Sequence, residues 1–192
     1  ARGIYIARAD GDDISFPNRL AVQLEYIKKM DVDLVGSKYI NEYIQNGEIK
    51  QNNSRLCEPS TTRAHMFFYW ITHGTLMFKR KMITDLKLVY IDRPAEDYNL
   101  FVRLAKKYRF YDIPEVLVKV RVRNDSLCGK SWNLIKNDID KMRLEQLSDL
   151  NIIPTTEEQK LHLALVDRDY TLLAKGSLYK IYDWINKVVK AN

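Results

Sequence analysis

Three carboxylates fall within four positions, Asp10-Gly11-Asp12-Asp13, directly after the short apolar run Gly3-Ile4-Tyr5-Ile6-Ala7. Like charges this close repel one another unless a positive charge sits among them. A run that is apolar on both faces predicts a buried strand, so the cluster would be delivered from a sheet. A hard divalent cation such as Mg²⁺ or Mn²⁺ meets the electrostatic need, because it takes oxygen ligands and combines one or two carboxylates with phosphate oxygens. Gly11 lets the backbone come close to a ligand. Taken alone, a solvated acidic turn outweighs a metal site, since such turns are common.

The rest of the chain predicts an α/β domain with a helical tail. Ser15 is placed to cap a helix with Pro17 in its first turn, and Leu20, Leu24 and Ile27 make one apolar stripe along it. Leu34-Val35-Gly36 reads as a strand. Residues 41–63 are polar and Asn-rich, with Asn46-Gly47 as a turn signal, which predicts a hairpin or a surface loop. Order resumes in the aromatic-rich stretch 66–78. A helix is predicted over 96–108, with Leu100, Leu104 and Tyr108 on one face. Val116, Val118, Val120 and Val122 alternate with Leu117, Lys119, Arg121 and Arg123, the period of a half-buried strand. Beyond that lie three helical patterns, marked by Ile135, Ile139 and Met142, by a Thr155–Glu158 capping box, and by Leu178, Ile181, Ile185 and Val188. The expected division is a catalytic part over 1–128 and a helical extension over 129–192.

A length of 192 residues allows one domain with a real core. The net charge of +6 is spread over short pairs and triplets such as Lys28-Lys29 and Lys79-Arg80-Lys81, without the motifs of a nucleic-acid binder. It is a solvated surface or a mild attraction for phosphates or an anionic membrane face. Cys57 and Cys128 form no framework, which fits a reducing compartment. No apolar stretch has the roughly 20 residues of a membrane span. The chain starts at Ala1 rather than Met, and a piece of a longer protein is expected.

A second acidic pair, Glu96-Asp97, opens the predicted helix at 96. Acids suit a first helical turn for dipole reasons alone, and that is the plainer reading. The functional reading is a general base that takes a proton from a hydroxyl nucleophile. His73 sits in Trp70-Ile71-Thr72-His73-Gly74-Thr75, where a lone His more often packs than binds. Zinc-protease, serine-hydrolase and P-loop motifs are missing.

In order, these segments resemble the family 2 glycosyltransferases. The stretch from Gly3 through Asp10-Gly11-Asp12-Asp13-Ile14-Ser15-Phe16-Pro17-Asn18-Arg19-Leu20 to Gln23 is similar to that family's D-x-D segment. Val35-Gly36-Ser37 matches its next strand, His73-Gly74-Thr75-Leu76-Met77-Phe78 its H-x-[ST] segment, and Ala95-Glu96-Asp97-Tyr98 its acidic base motif. Pro114-Glu115-Val116-Leu117, running to Arg121 and Ser126, resembles the following strand, with Val120 and Asn124 where the family more often has Tyr and His. The tail from Leu150 to His162 resembles the helical extension of bacterial members that build surface polysaccharides.

The resemblance implies a GT-A fold with a mixed sheet, a nucleotide-diphosphate sugar donor, a glycan or lipid-linked acceptor and a Mn²⁺ or Mg²⁺ cofactor. By position it implies metal contacts at Asp10, Asp12 and Asp13, with Asp12 foremost, and a catalytic base at Asp97 with Glu96 as alternate. It further implies donor-phosphate contacts from Asp10, Arg19 and His73. Cytoplasmic placement is expected, with peripheral contact at the inner membrane face. The family's opening strands, which hold the nucleotide base, have no counterpart here. The rival readings are a truncated, non-catalytic module and a nucleotidyltransferase on a similar fold.

Overall fold

The computed structural model describes residues 2–51, 56–68, 71–85, 91–123, 131–169, 171 and 178–191. Trp70, Asn124, Ser126 and Cys128, which figure in the sequence reading, lie outside the described residues. The chain divides into two compact units, Ala1–Trp132 and Asn133–Asn192.

The first unit is a mixed six-stranded sheet. Its strands are β1 (Tyr5–Ala7), β2 (Ile14–Ser15), β3 (Leu34–Tyr43), β4 (Glu48–Gln51), β5 (Met77–Lys79) and β6 (Phe110–Val122). The order is β1-β5-β3-β6-β2, with β4 pairing the far half of β3. β3 and β6 run parallel and form the spine; the remaining pairs are antiparallel. The helices are α1 (Arg19–Lys29), α2 (Thr62–Phe68), α3 (Lys81–Asp85) and α4 (Glu96–Ala105).

Side-chain alternation along β3 sends Leu34 and Val35 to opposite faces. Leu34 joins Met66, Ile71, Leu76, Phe101 and Phe110 in one core, under α2 and α4. Val35 joins Ile27, Val32, Met77, Ile113 and Leu117 in the other, under α1. A sheet covered on both faces explains the near-continuous apolar reading of its central strands.

Several local expectations change. Ser15 belongs to β2, and Asn18 stands at the N-cap of α1, so the helix starts later than its Ser-Pro signal suggests. The stripe of α1 is also different: Leu20 is 58% exposed, while Arg19, Gln23 and Ile27 are buried. β1 is an edge strand and none of its residues is buried, against the buried strand expected. The hairpin reading of 41–63 holds for β3 and β4, which turn through Gly47 at φ 68°, a left-handed conformation suited to Gly. β6 begins at Phe110, well before the Val alternation. Between Ser37↔Ile113 and Lys38↔Val116 the register shifts, and Pro114 and Glu115 sit unpaired in that irregularity.

The second unit carries helices α5 (Trp132–Ser148, which opens at the boundary), α6 (Thr156–Asp167) and α7 (Leu178–Ala191). The capping box forms: Thr155 Oγ1 accepts from the Glu158 N–H at 3.3 Å and Glu158 Oε2 accepts from the Thr155 N–H at 2.7 Å. Trp184 is buried on α7, its indole N–H donating to His162 Nδ1 at 3.4 Å. Leu178, Tyr182, Ile185 and Val189 lie exposed along one face of α7. No helix among the described residues is long and apolar enough to cross a membrane.

Candidate active site

β1 and β2 occupy opposite edges of the sheet, and residues 8–13 carry the chain between them. This short path is the acidic turn. It is fastened at both ends: the Arg8 N–H donates to Leu76 O at 2.9 Å, and the Phe16 N–H donates to Leu117 O at 3.0 Å. Asp13 Oδ1 accepts from the backbone N–H of Arg121 on β6 at 3.1 Å.

The turn packs against the 3₁₀ segment His73–Thr75 that leads into β5. At Gly74 the approach is so close that a Cβ would stand 2.8 Å from Asp10 Oδ2 and 2.9 Å from Asp13 Oδ2. Two carboxylate oxygens thus converge on one point over the glycine. Asp12, foremost in the sequence reading, is instead exposed. Burial raises the Asp13 pKa above the ordinary carboxylate range, and the charges of Asp10 and Asp12 add to the rise.

Arg19, expected to touch phosphate, is 2% exposed and committed to protein acceptors. Its guanidinium donates to Ser15 Oγ (2.8 Å), Gln23 Oε1 (3.1 Å), Arg8 O (2.6 Å) and Leu76 O (3.2 Å). Gln23 in turn donates to Thr75 O at 2.6 Å. The buried polar face of α1 therefore clamps the backbone of both segments that meet at the site. Arg19 is a positioning residue, and its charge is not presented to a ligand.

Asp97 stands in the first turn of α4, where its Oδ1 accepts from the Tyr98 N–H at 2.7 Å. Burial holds its pKa above the ordinary range, with Glu96 adding to the rise and backbone donors and Arg8 opposing it. Glu96 is exposed. His73 packs edge-on to Phe101 at 5.9 Å between ring centroids. Burial, and then the Arg8 charge, push its pKa down to about 4, so it is neutral at pH 7 and offers a phosphate no charge.

The residue missed by sequence reasoning is Arg8. Its Nη1 donates to Asp10 Oδ2 at 2.6 Å. Its charge is felt by Asp13, His73 and Asp97, which come from three different elements. A cation two positions before an acidic cluster was the available signal.

The donor set suits a hard cation, being all oxygen, with two carboxylates already aimed at one point. Among the described residues no three or more His, Cys, Asp or Glu side chains are grouped to hold a metal ion. The fit is therefore to a cation held partly by Asp10 and Asp13 and partly by phosphate and water oxygens, the habit of Mg²⁺ and Mn²⁺.

No protein-family model matches the chain. In sequence it is 34% identical over 128 residues to an uncharacterized glycosyltransferase of Methanocaldococcus jannaschii, covering 65% of this chain and 44% of the relative. It is 32% identical over 126 residues to the O-antigen biosynthesis glycosyltransferase WbnJ of Escherichia coli, covering 63% and 48%. It is 26% identical over 145 residues to the amylovoran biosynthesis glycosyltransferase AmsE of Erwinia amylovora, covering 73% and 53%. The chain spans about half the length of the curated relatives it matches. In structure it superposes on S. aureus TarS in complex with UDP-GlcNAc with a TM-score of 0.56 at 14% identity, over all of this chain and 58% of that one. The fold is thus of the GT-A-like, mixed α/β kind. In sequence the chain is thus similar to glycosyltransferases, among them ones named for O-antigen and amylovoran biosynthesis.

Proposed function

We propose that this chain contributes the metal and acceptor side of a family 2 glycosyltransferase, which moves a sugar from a nucleotide-diphosphate donor to a glycan or lipid-linked acceptor with inversion. The observation that carries the reading is the convergence of two carboxylates, Asp10 and Asp13, over Gly74, with Arg8 paired to Asp10 and its charge felt at the buried Asp97 carboxyl. TarS, bound to UDP-GlcNAc and to UDP, supports a nucleotide-sugar as the donor.

In this reading Asp97 accepts the proton of the acceptor hydroxyl. The acceptor oxygen forms its bond to the anomeric carbon as the bond to the donor phosphate oxygen breaks, and the nucleoside diphosphate leaves with that electron pair. A carboxylate whose pKa is lifted toward neutrality is a better base for this than an ordinary one. Asp10 and Asp13 would hold the divalent cation, with Asp12 at the exposed margin. A bound Mg²⁺ or Mn²⁺ supplies charge neutralisation to the departing diphosphate. His73, neutral, is left to donate or accept a hydrogen bond.

Cytoplasmic placement with peripheral contact at the inner membrane face belongs to the same proposal. The exposed apolar stripe of α7 supports the membrane contact.

The test is incubation with Mn²⁺ and UDP-GlcNAc, followed by product analysis. Metal-dependent release of UDP is the expected result. In a parallel mixture of UTP and GlcNAc-1-phosphate, release of pyrophosphate would instead make the protein a nucleotidyltransferase, and turnover in neither mixture would leave a non-catalytic module.

A further inference from the structure

The oxygen of Asp10 that converges over Gly74 is already taken. Oδ2, the atom 2.8 Å from the Gly74 point, is the same atom that accepts from Arg8 Nη1 at 2.6 Å. A cation arriving between Asp10 and Asp13 therefore meets a guanidinium on one of its two ligand atoms. The root of that guanidinium is fixed, since the Arg8 N–H is bonded to Leu76 O and its carbonyl accepts from Arg19. The head is less constrained: the Arg8 and Asp10 side chains are 30% and 41% exposed. Arg8 thus has a pinned backbone and a part-exposed tip held at the site, among the described side chains, by Asp10 alone. Guanidinium binds carboxylate and phosphate by the same forked geometry, so it exchanges one for the other readily.

We propose that Arg8 is an exchangeable counter-ion. In the free chain it neutralises Asp10; when a cation and a diphosphate enter together, it yields Asp10 Oδ2 to the cation and turns to the diphosphate oxygens. The cation and the diphosphate therefore bind cooperatively, because each satisfies a partner that the other's arrival leaves unpaired. The inference rests on the metal-and-diphosphate reading of the site, but it makes Arg8 a competitor of the free cation, which no purely structural arginine would be.

The experiment measures two affinities of the whole chain: Mn²⁺ alone, by electron paramagnetic resonance, and inorganic pyrophosphate at saturating Mn²⁺, by calorimetry. Arg8→Gln is expected to tighten free Mn²⁺ several-fold, by about the factor that a charge-assisted bond contributes, and to weaken pyrophosphate about tenfold. Arg8→Lys, which keeps the charge without the fork, should leave Mn²⁺ near wild type and place pyrophosphate between the two. A thermal melt checks that both variants are folded. If Arg8→Gln weakens both ligands, or moves neither, the counter-ion role is overturned while the site reading stands. If wild type binds no Mn²⁺, both fall. If the opposed shifts occur but no donor is cleaved, the counter-ion role stands and the transferase reading falls.

Discussion

Gly74 leaves room for Asp10: a single methyl on its Cα would stand 2.8 Å from Asp10 Oδ2, inside any tolerable contact. The neighbour on the other side is Asp13 Oδ2 at 2.9 Å, so one substitution crowds both carboxylates. Neither can retreat without breaking a bond, Asp10 to Arg8 and Asp13 to the Arg121 N–H. Gly74→Ala should therefore lower Mn²⁺ affinity by about tenfold or more, the loss of one charge-assisted contact, and lower the melting temperature as well. Resonance titration beside a thermal melt separates the two effects. Unchanged Mn²⁺ affinity would show that the two oxygens are not the ligands.

Asp97→Asn removes the proposed proton acceptor and keeps the helix-start hydrogen bond to Tyr98. Turnover should fall by roughly 10²–10⁴ while binding of UDP and Mn²⁺ is retained. In the wild type, burial lifts the Asp97 pKa above its ordinary 3.8, so the acid limb of the rate profile should lie above that value. A variant with near-normal turnover would move the base elsewhere, with Glu96 next to be tried.

Arg19→Met replaces a buried charge by a similar volume and strands the Arg8 carbonyl and the buried Gln23 Oε1. Unsatisfied buried groups cost about 1–3 kcal/mol each, so the first unit should lose on the order of 3 kcal/mol. The loss should be local. Hydrogen exchange should speed at the Arg8 amide and along β1 and β5, with the β3–β6 spine protected. Uniform loss of protection would mean that α1 supports the whole sheet.

Asp112 carries a pH dependence of stability. Its Oδ2 accepts from the Cys57 N–H at 3.2 Å, and burial lifts its pKa from 3.8 to about 7. The folded state therefore holds this proton where the unfolded state has lost it. The contribution is fully present below 3.8, drains as pH rises, and is gone above about 7. At about 1.4 kcal/mol per unit, it amounts to on the order of 4 kcal/mol. Asp112→Asn should flatten the fall in urea midpoint between pH 4 and pH 7 relative to wild type. An unchanged slope would assign the dependence to other carboxyls.

The sequence was most legible where apolar period and chain chemistry agree. The capping box at Thr155, the turn at Gly47 and the strand at Leu34 formed as read. It misled where polar residues are buried with partners. The stripe through Leu20 looked like the core face of α1, but Arg19 and Gln23 fill that face, because the backbone beneath offers carbonyls rather than methyl groups. Periodicity counts hydrophobicity and is blind to such a seam. Pro114 hid the first half of β6, since Pro cannot donate to a ladder and the register shift that admits it has no local signature. The acidic cluster announced itself, yet spacing could not say which carboxylates converge. That is decided by Gly74, which is remote in sequence and is brought there by the β1–β5 pairing.

That pairing has a consequence for synthesis. β1 waits for Met77–Lys79, and β2 waits for Val118 and Lys119 on β6. The turn between them has no fixed shape until both partners have left the ribosome. Contacts so distant along the chain close slowly, because loop entropy is lost before they form. The hairpin of β3 and β4 can be in place early, whereas the acids remain an open, strongly charged stretch until residue 119 is available. The nascent chain thus sets the geometry of its acidic turn late, after the β3–β4 hairpin has been made.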